Sequence, residues 1–291
     1  MDHHVTVGLD GSPESGAAAR WAAREAELRD AELHLVHAEE WAVPVGVPEA
    51  AANVRRRWSE ALVREAADAL QRVHPDLAIT THSIDGPPAA SLATAAATAD
   101  LLVLGSRGLG TLTGFVLGSV GMAVVHSTER PVVLVRSRED GSPHPTGEHA
   151  RRDVVVGVDV SRPCDAVLAF AFEEASRRAC RLRVLHVWSP RQLVGYGAAY
   201  DPRVHAQIDE NMTADVDDVL RPWRDRFPSV DVTARTSMGH TAQKLLDSGT
   251  EAGLVVVGRR VRRSPFGAHI GSTTHAVIHH ATSPVAVIAH D

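Results

Sequence analysis

The sequence predicts an α/β fold made twice, as two tandem domains with parallel sheets. Three observations carry that expectation. Short apolar runs alternate with longer stretches of helical periodicity, the pattern of strands joined by crossover helices. Several runs, such as Asp100–Leu104 (DLLVL) and Gly253–Val257 (GLVVV), are apolar on both faces, as a strand between two helix layers requires. The chain also repeats itself. Val5–Asp10 (VTVGLD) returns as Val154–Asp159 (VVVGVD), and His37 returns as His186, both at a separation of 149. Gly86 and Gly239, Gly105 and Gly258, Gly118 and Gly271, and Pro131 and Pro284 all stand 153 apart. A period near 150 is a domain length, not a solenoid repeat. The four-residue change falls between His186 and Gly239, so the second copy carries a longer middle segment.

The elements of the first half follow in order. Val5–Leu9 predicts a strand. Ser12–Arg29 predicts a helix, with Ser12 as N-cap and Pro13 at its first position, where a missing N–H costs nothing. Glu32–Ala38 predicts the second strand. Asn53–Val73 predicts a long, charged, half-exposed helix, followed by a strand over Leu77–Ile84. Pro87–Thr98 predicts a helix opening after Gly86. Leu101–Leu104 predicts a strand, Gly118–Ser127 a helix and Pro131–Val135 the last strand. The second half repeats this order. Boundaries are expected at 1–137 for the first domain and 153–291 for the second. The stretch 138–152 between them is polar and rich in Pro and Gly, and reads as a linker. The segments after each second strand, Glu39–Ala52 and Ser189–Pro202, read as loops over the carboxyl edge of the sheet, where open α/β sheets hold ligands.

Composition excludes several classes. The 291 residues are 44% hydrophobic, enough for two cores. A net charge of −6 argues against non-specific nucleic-acid binding, which rests on phosphate neutralisation. The opening MDHH is acidic and predicts no signal peptide. No apolar stretch approaches a membrane span, so a cytoplasmic protein is expected. The two cysteines, Cys164 and Cys180, make no CxxC pair and read as thiols in a reducing compartment. The 17 histidines form no HExxH or Cys/His cluster, and no protein metal site is expected. His37 and His186 end buried strands and read as structural. Arg55–Arg57 with Trp58 reads as the solvated face of a helix, with an acidic partner as the alternative.

The chemistry concentrates in Leu104–Ser119, LGSRGLGTLTGFVLGS. Gly105 and Gly108 stand near a strand end, and Gly118-Ser119 opens a helix. Glycine lets a backbone come close to a ligand, and a helix N-terminus offers free N–H groups to an anion. Ser119 is expected to cap that helix and donate to a phosphate oxygen. The run is neither a P-loop, since Lys244 is the sole lysine, nor a GxGxxG fingerprint. A glycine-rich surface turn is the alternative to a phosphate cradle, and the repeat favours the cradle. Arg107 lies inside it as the nearest side-chain cation, or as a solvated loop arginine. The second copy departs at Val261, which replaces the middle glycine, with Arg259, Arg260, Arg262 and Arg263 around it. A β-branched residue resists positive φ. The first half is therefore expected to bind more tightly than the second.

With these residues in view, the chain resembles the universal stress protein family in its tandem-domain form. The resemblance rests on G-x2-G-x9-G-(S/T), here Gly105, Gly108, Gly118 and Ser119, and on the aspartate after the first strand, here Asp10. It implies two Rossmann-like (flavodoxin-like, HUP-type) domains, each a five-stranded parallel sheet of order 3-2-1-4-5 flanked by helices. It implies bound ATP with Mg²⁺. The site it implies in the first domain is Leu9, Asp10, Ala38, Leu104, Gly105, Ser106, Arg107, Gly108, Gly118, Ser119 and Val120. In the second it is Asp159, Val187, Gly258, Arg259, Arg260, Gly271, Ser272 and Thr273. Asp10 would lie beside adenine or ribose, and Ala38 and Val187 would meet adenine through backbone atoms.

The leading expectation is a cytoplasmic ATP-binding regulator of stress response or dormancy, read by a regulatory protein partner and not an enzyme beyond slow ATP turnover. Two other classes stay open. One is a nucleotide-free dimerisation scaffold. The other is an ATP-cleaving or adenylate-forming enzyme, which needs an SGGxDS-type loop where this chain has DGSPES. The apolar last strands, Pro131–Val135 and Pro284–Ala289, would be sheet edges that need covering. They are expected to pair the two halves as a pseudo-dimer, or two chains as a homodimer.

Overall fold

The computed structural model describes residues 3–40, 49–106, 118–137, 152–162, 164–189, 202–261 and 270–291, with the side chains of 49–52 and 202–206 outside that set. The chain forms two compact units, Met1–His144 and Pro145–Asp291. The expected linker falls almost wholly outside the described residues.

In the first unit the order is β1 (His4–Leu9), α1 (Pro13–Arg29), β2 (Glu32–Glu39), α2 (Glu49–Gln71), β3 (Ile79–Asp85), α3 (Pro88–Thr98), β4 (Leu101–Ser106), α4 (Ser119–Ser127) and β5 (Val132–Arg136). The strands pair in parallel in the order β3-β2-β1-β4-β5. Parallel neighbours need a crossover, and α1 to α4 supply it. The central strand β1 is buried along its whole length, whereas β3 at the edge is mostly exposed. This fits the apolar core of β1, Val5, Val7 and Leu9, and the polar run of β3.

The second unit repeats the plan: β6 (Val154–Val158), α5 (Asp165–Arg177), β7 (Leu182–Trp188), α6 (Pro202–Arg226), β8 (Val232–Met238), α7 (Thr241–Gly249), β9 (Leu254–Arg260), α8 (Ser272–His280) and β10 (Val285–His290). Its order is β8-β7-β6-β9-β10, again parallel. Both units therefore have the 3-2-1-4-5 arrangement that the resemblance implied. Order reverses between the first and fourth strands of each, which opens a crevice at the strands' carboxyl ends.

Helix starts carry the expected chemistry in α1. Ser12 is its N-cap, accepting from the Ser15 backbone N–H at 3.1 Å, and Pro13 is the first helical residue. A buried ion pair recurs on the inner face of each unit's first helix. Glu25, 1% exposed, holds Arg29 at 2.7 Å, and Glu174, 0% exposed, holds Arg178 at 3.1 Å. These pairs stand 149 residues apart and belong to the repeat. Among the described residues, no helix is long and apolar enough to cross a membrane.

Candidate functional site

The site grows from the carboxyl ends of the strands. After β1 the chain turns at Asp10, whose Oδ1 accepts from the backbone N–H of Ser12 at 3.0 Å and from the Ser12 hydroxyl. Gly11 follows with φ +80°, a conformation that only glycine adopts without strain. The second unit repeats the aspartate's hydrogen bonds but not the glycine, since Val160 follows Asp159 without positive φ. Asp159 Oδ1 accepts from the Ser161 N–H at 3.2 Å and its hydroxyl at 2.6 Å, while Arg162 stands 3.4 Å from Oδ2. Each aspartate thus spends one oxygen on the turn.

The cradle glycines divide by role. Gly105 lies inside β4 and not in a loop, because β4 runs on to Ser106. A Cβ there would stand 2.7 Å from the backbone of Glu14 and Ser15, so the glycine lets the start of α1 press against the strand. Its counterpart Gly258 lies inside β9, where a Cβ would meet His290 at 2.7 Å and Val167 at 3.1 Å. Neither has positive φ. Gly118 and Gly271 differ. Each is a helix N-cap with φ near −60° (−60° and −57°), and a Cβ on either would find nothing within 4 Å among the described residues. Neither packing nor conformation demands glycine there. The open space lies directly before a helix N-terminus, where N–H groups stand free for an anion.

Ser119 is the first residue of α4 and not its cap; Gly118 takes that place, and no side chain caps the helix. Glycine is a tolerable N-cap because its extended backbone still presents the first carbonyl. Ser106 is 3% exposed, and its hydroxyl donates to the Val135 carbonyl at 3.4 Å, so its side chain serves the sheet. Leu9 and Leu104 are buried, and Ala38 is half-buried. Val120 follows Ser119 in α4, half-buried. Arg107, Gly108, Arg262 and Arg263 lie outside the described residues.

In the second unit one cavity of about 1050 Å³ gathers the sequence-expected residues. Asp159 from the end of β6, Val187 from β7, Gly258 and Arg260 from β9, and Gly271, Ser272 and Thr273 from the start of α8 all line it. Arg259 does not: it is 3% exposed and turned to the other face of the strand from Arg260. Val261 has ordinary negative φ, and its N–H donates to the His290 carbonyl at 2.7 Å. The positive-φ strain expected at this residue is absent, because the strand pairing with β10 carries one residue further.

Sequence reasoning missed several parts of this wall. Thr274, 5% exposed, donates its hydroxyl to the Gly258 carbonyl at 2.6 Å and ties α8 to β9. Asp215 and Asp218 bring carboxylates from α6 to the cavity, and His186 and Cys164 also line it. Helical spacing could have placed the aspartates on one face, but not over this sheet edge. Burial, with the Asp165 and Asp159 carboxylates, pushes the Cys164 thiol up to about 11, so it stays protonated and unreactive near neutral pH. No group of three or more His, Cys, Asp or Glu residues suited to a metal ion occurs among the described residues.

Comparison with known proteins places these features in a family. The model of the universal stress protein family matches residues 1–136 and again 150–289. A universal stress protein of Mycolicibacterium smegmatis is 35% identical over 295 residues, spanning 99% of this chain and 97% of the relative. One from Mycobacterium tuberculosis is 33% identical over 290 residues, spanning 97% and 95%. Among solved structures, a universal stress protein from Archaeoglobus fulgidus superposes with a TM-score of 0.72 at 18% identity, covering 99% of this chain and 98% of its own; that likeness is one of fold.

Proposed function

The chain belongs to the universal stress protein family, and on that premise we propose that it binds ATP and acts as a nucleotide-dependent regulator of stress response or dormancy in the cytoplasm. The observation that carries this reading is the second-unit cavity. Seven motif residues from three strand ends and one helix start converge on it, around a helix N-cap with room for a ligand. Phosphates would sit against the N–H groups of Ser272 and Thr273, with Arg260 as the cation. The nucleoside would extend along the strand ends toward Asp159 and Val187. Mg²⁺ would be held by phosphate oxygens and water. Such an ion keeps several waters and does not require a protein cage.

The cavity offers binding groups in preference to catalytic ones. Its thiol is protonated, and Asp159 spends one oxygen on a turn and meets Arg162 with the other. This reading sets His186 at the nucleoside end and assigns no base to a water at the phosphates, and positioning a triphosphate without one gives slow turnover. The function is therefore carried by the bound state, read by a partner protein.

Mass analysis of nucleotide released from the purified protein by denaturation tests the reading, with isothermal titration of the nucleotide-free protein. Released adenine nucleotide, and ATP binding strengthened by Mg²⁺, are expected. A protein that releases none and titrates none refutes it.

A further inference from the structure

The second-unit cavity contains an imidazole whose two nitrogens have separate fates. His186 stands near the end of β7, 6% exposed, and forms part of the cavity wall. Its Nδ1 lies 3.1 Å from the carbonyl oxygen of Val158, the last residue of β6. A carbonyl oxygen only accepts, so Nδ1 carries the ring hydrogen and the neutral ring keeps a bare lone pair at Nε2. The backbone of the neighbouring strand thus sets the tautomer.

The first unit repeats the first half of this arrangement and closes the second. His37 Nδ1 lies 2.7 Å from the Leu9 carbonyl. Its Nε2 is buried with no hydrogen-bond partner, 3.9 Å from Glu39 Oε2, and the Trp58 ring stands edge-on at 5.7 Å. In the second unit Trp188 occupies the place of Glu39, and its indole N–H is committed to Asp209 at 3.2 Å. The Nδ1 contact alone explains a structural histidine. It does not explain why the ring stands in a cavity wall in the second unit.

We propose that Nε2 of His186 is a specificity-determining hydrogen-bond acceptor for the ligand of the second-unit cavity. It takes an N–H or O–H donor from the nucleoside half of an adenine nucleotide. The proposal rests on the nucleotide reading above. The strand order β7-β6-β9 sets His186 two strands, roughly 10 Å, from Gly258. A nucleotide with its phosphates at the start of α8 meets His186 with its nucleoside end. Two donors there share the required chemistry, the exocyclic amine of the base and the ribose hydroxyls. A bare Nε2 accepts from either and repels a carbonyl in their place.

The test uses the full chain carrying Gly118→Glu, which removes the first site from the titration. His186→Asn keeps an amide N–H where Nδ1 donates to Val158 and deletes Nε2; His186→Gln restores an acceptor at about the reach of Nε2. Probes are ATP, inosine triphosphate, 2′-deoxy-ATP and 3′-deoxy-ATP. The parent should bind one of the three analogues about fivefold to tenfold more weakly than ATP. Loss with inosine triphosphate identifies the amine as the donor, and loss with a deoxy analogue identifies the hydroxyl. His186→Asn should lose that preference together with a similar factor in ATP affinity, at little change in melting temperature, and His186→Gln should recover part of it. A parent that binds all four ligands equally overturns the proposal without any variant. So does a His186→Asn protein with unchanged ATP affinity and preference. A wild-type chain that binds none of the four refutes the nucleotide reading itself.

Discussion

Thr274 donates its hydroxyl to the carbonyl oxygen of Gly258 at 2.6 Å, joining the first turn of α8 to the strand that carries the cradle glycine. The residue at this position in the first unit is Gly121, which has no side chain to make the bond. Thr274→Val keeps the shape and removes the donor. It should destabilise the second unit by about 1 kcal/mol, the worth of one hydrogen bond, and take one donor from the half-buried Gly258 carbonyl. Urea unfolding of the isolated segment 152–291 measures it. A midpoint equal to wild type would mean that packing alone aligns α8 with β9.

Gly118→Glu should abolish nucleotide binding at the first site with the fold intact, and Gly271→Glu should do so at the second. A Cβ on either glycine meets no described atom within 4 Å, so the cost is expected to fall on the ligand. The new carboxylate would also place negative charge where phosphate is attracted. Titration of each variant with ATP, beside its far-UV spectrum, checks this. Unchanged stoichiometry would remove the helix starts from the site.

Asp10 offers a finer test, because one of its oxygens holds the turn through Ser12. Asp10→Asn keeps that acceptor and loses the charge, while Asp10→Ala loses both. If the carboxylate reads the nucleoside, both variants should weaken AMP and ATP more than inorganic pyrophosphate. Competition among the three ligands decides it. An equal loss for all three, seen only with Ala, would make the aspartate a turn residue.

Val261→Gly should leave ATP affinity at the second site within about threefold of wild type. The valine has no positive φ to relieve, and its N–H is already paired with His290. A tenfold gain on titration, worth about 1.4 kcal/mol, would show that the bound loop needs the conformation that only glycine adopts easily.

The two units should also respond differently to acid. His4, His34 and His82 face one another across β1, β2 and β3, the first two rings stacked at 4.1 Å and the next pair at 5.3 Å. Burial, then the neighbouring His4 and His82, hold His34 below its ordinary value of 6.5, against an opposing pull from Glu32. The unfolded chain therefore takes up the proton first as pH falls. The stability tied to neutral His34 is whole above 6.5 and is lost as pH falls from there through the lower folded value. The second unit has Asp153, Arg183 and Arg235 at these positions, and Arg183 stands 3.9 Å from Asp153. None of the three is a histidine. Unfolding midpoints between about pH 5 and about pH 8 should fall on acidification for the first unit, less so for its His34→Gln variant. Parallel pH profiles for the two proteins would remove His34 as the cause.

The sequence by itself determined the duplication and the α/β class, because each depends on local information, whereas the strand order was implied only by the family resemblance. Apolar runs such as LLVL must be buried on both faces, Ser12-Pro13 must open a helix, and landmarks at fixed separations must fold alike. It also identified Gly118 and Gly271, since a glycine before a helix is legible from neighbours alone. The tertiary structure decided what depends on distant partners. Gly105 reads as a loop glycine until the start of α1 is seen 2.7 Å from its missing Cβ. Arg259 and Arg260 read alike until the strand's alternation buries one and turns the other to the cavity. His186 reads as a structural core residue until it is seen in the cavity wall, with Val158, 28 positions away, taking one of its nitrogens. Periodicity reports which face a residue occupies; only the packed sheet brings together atoms that the chain keeps far apart.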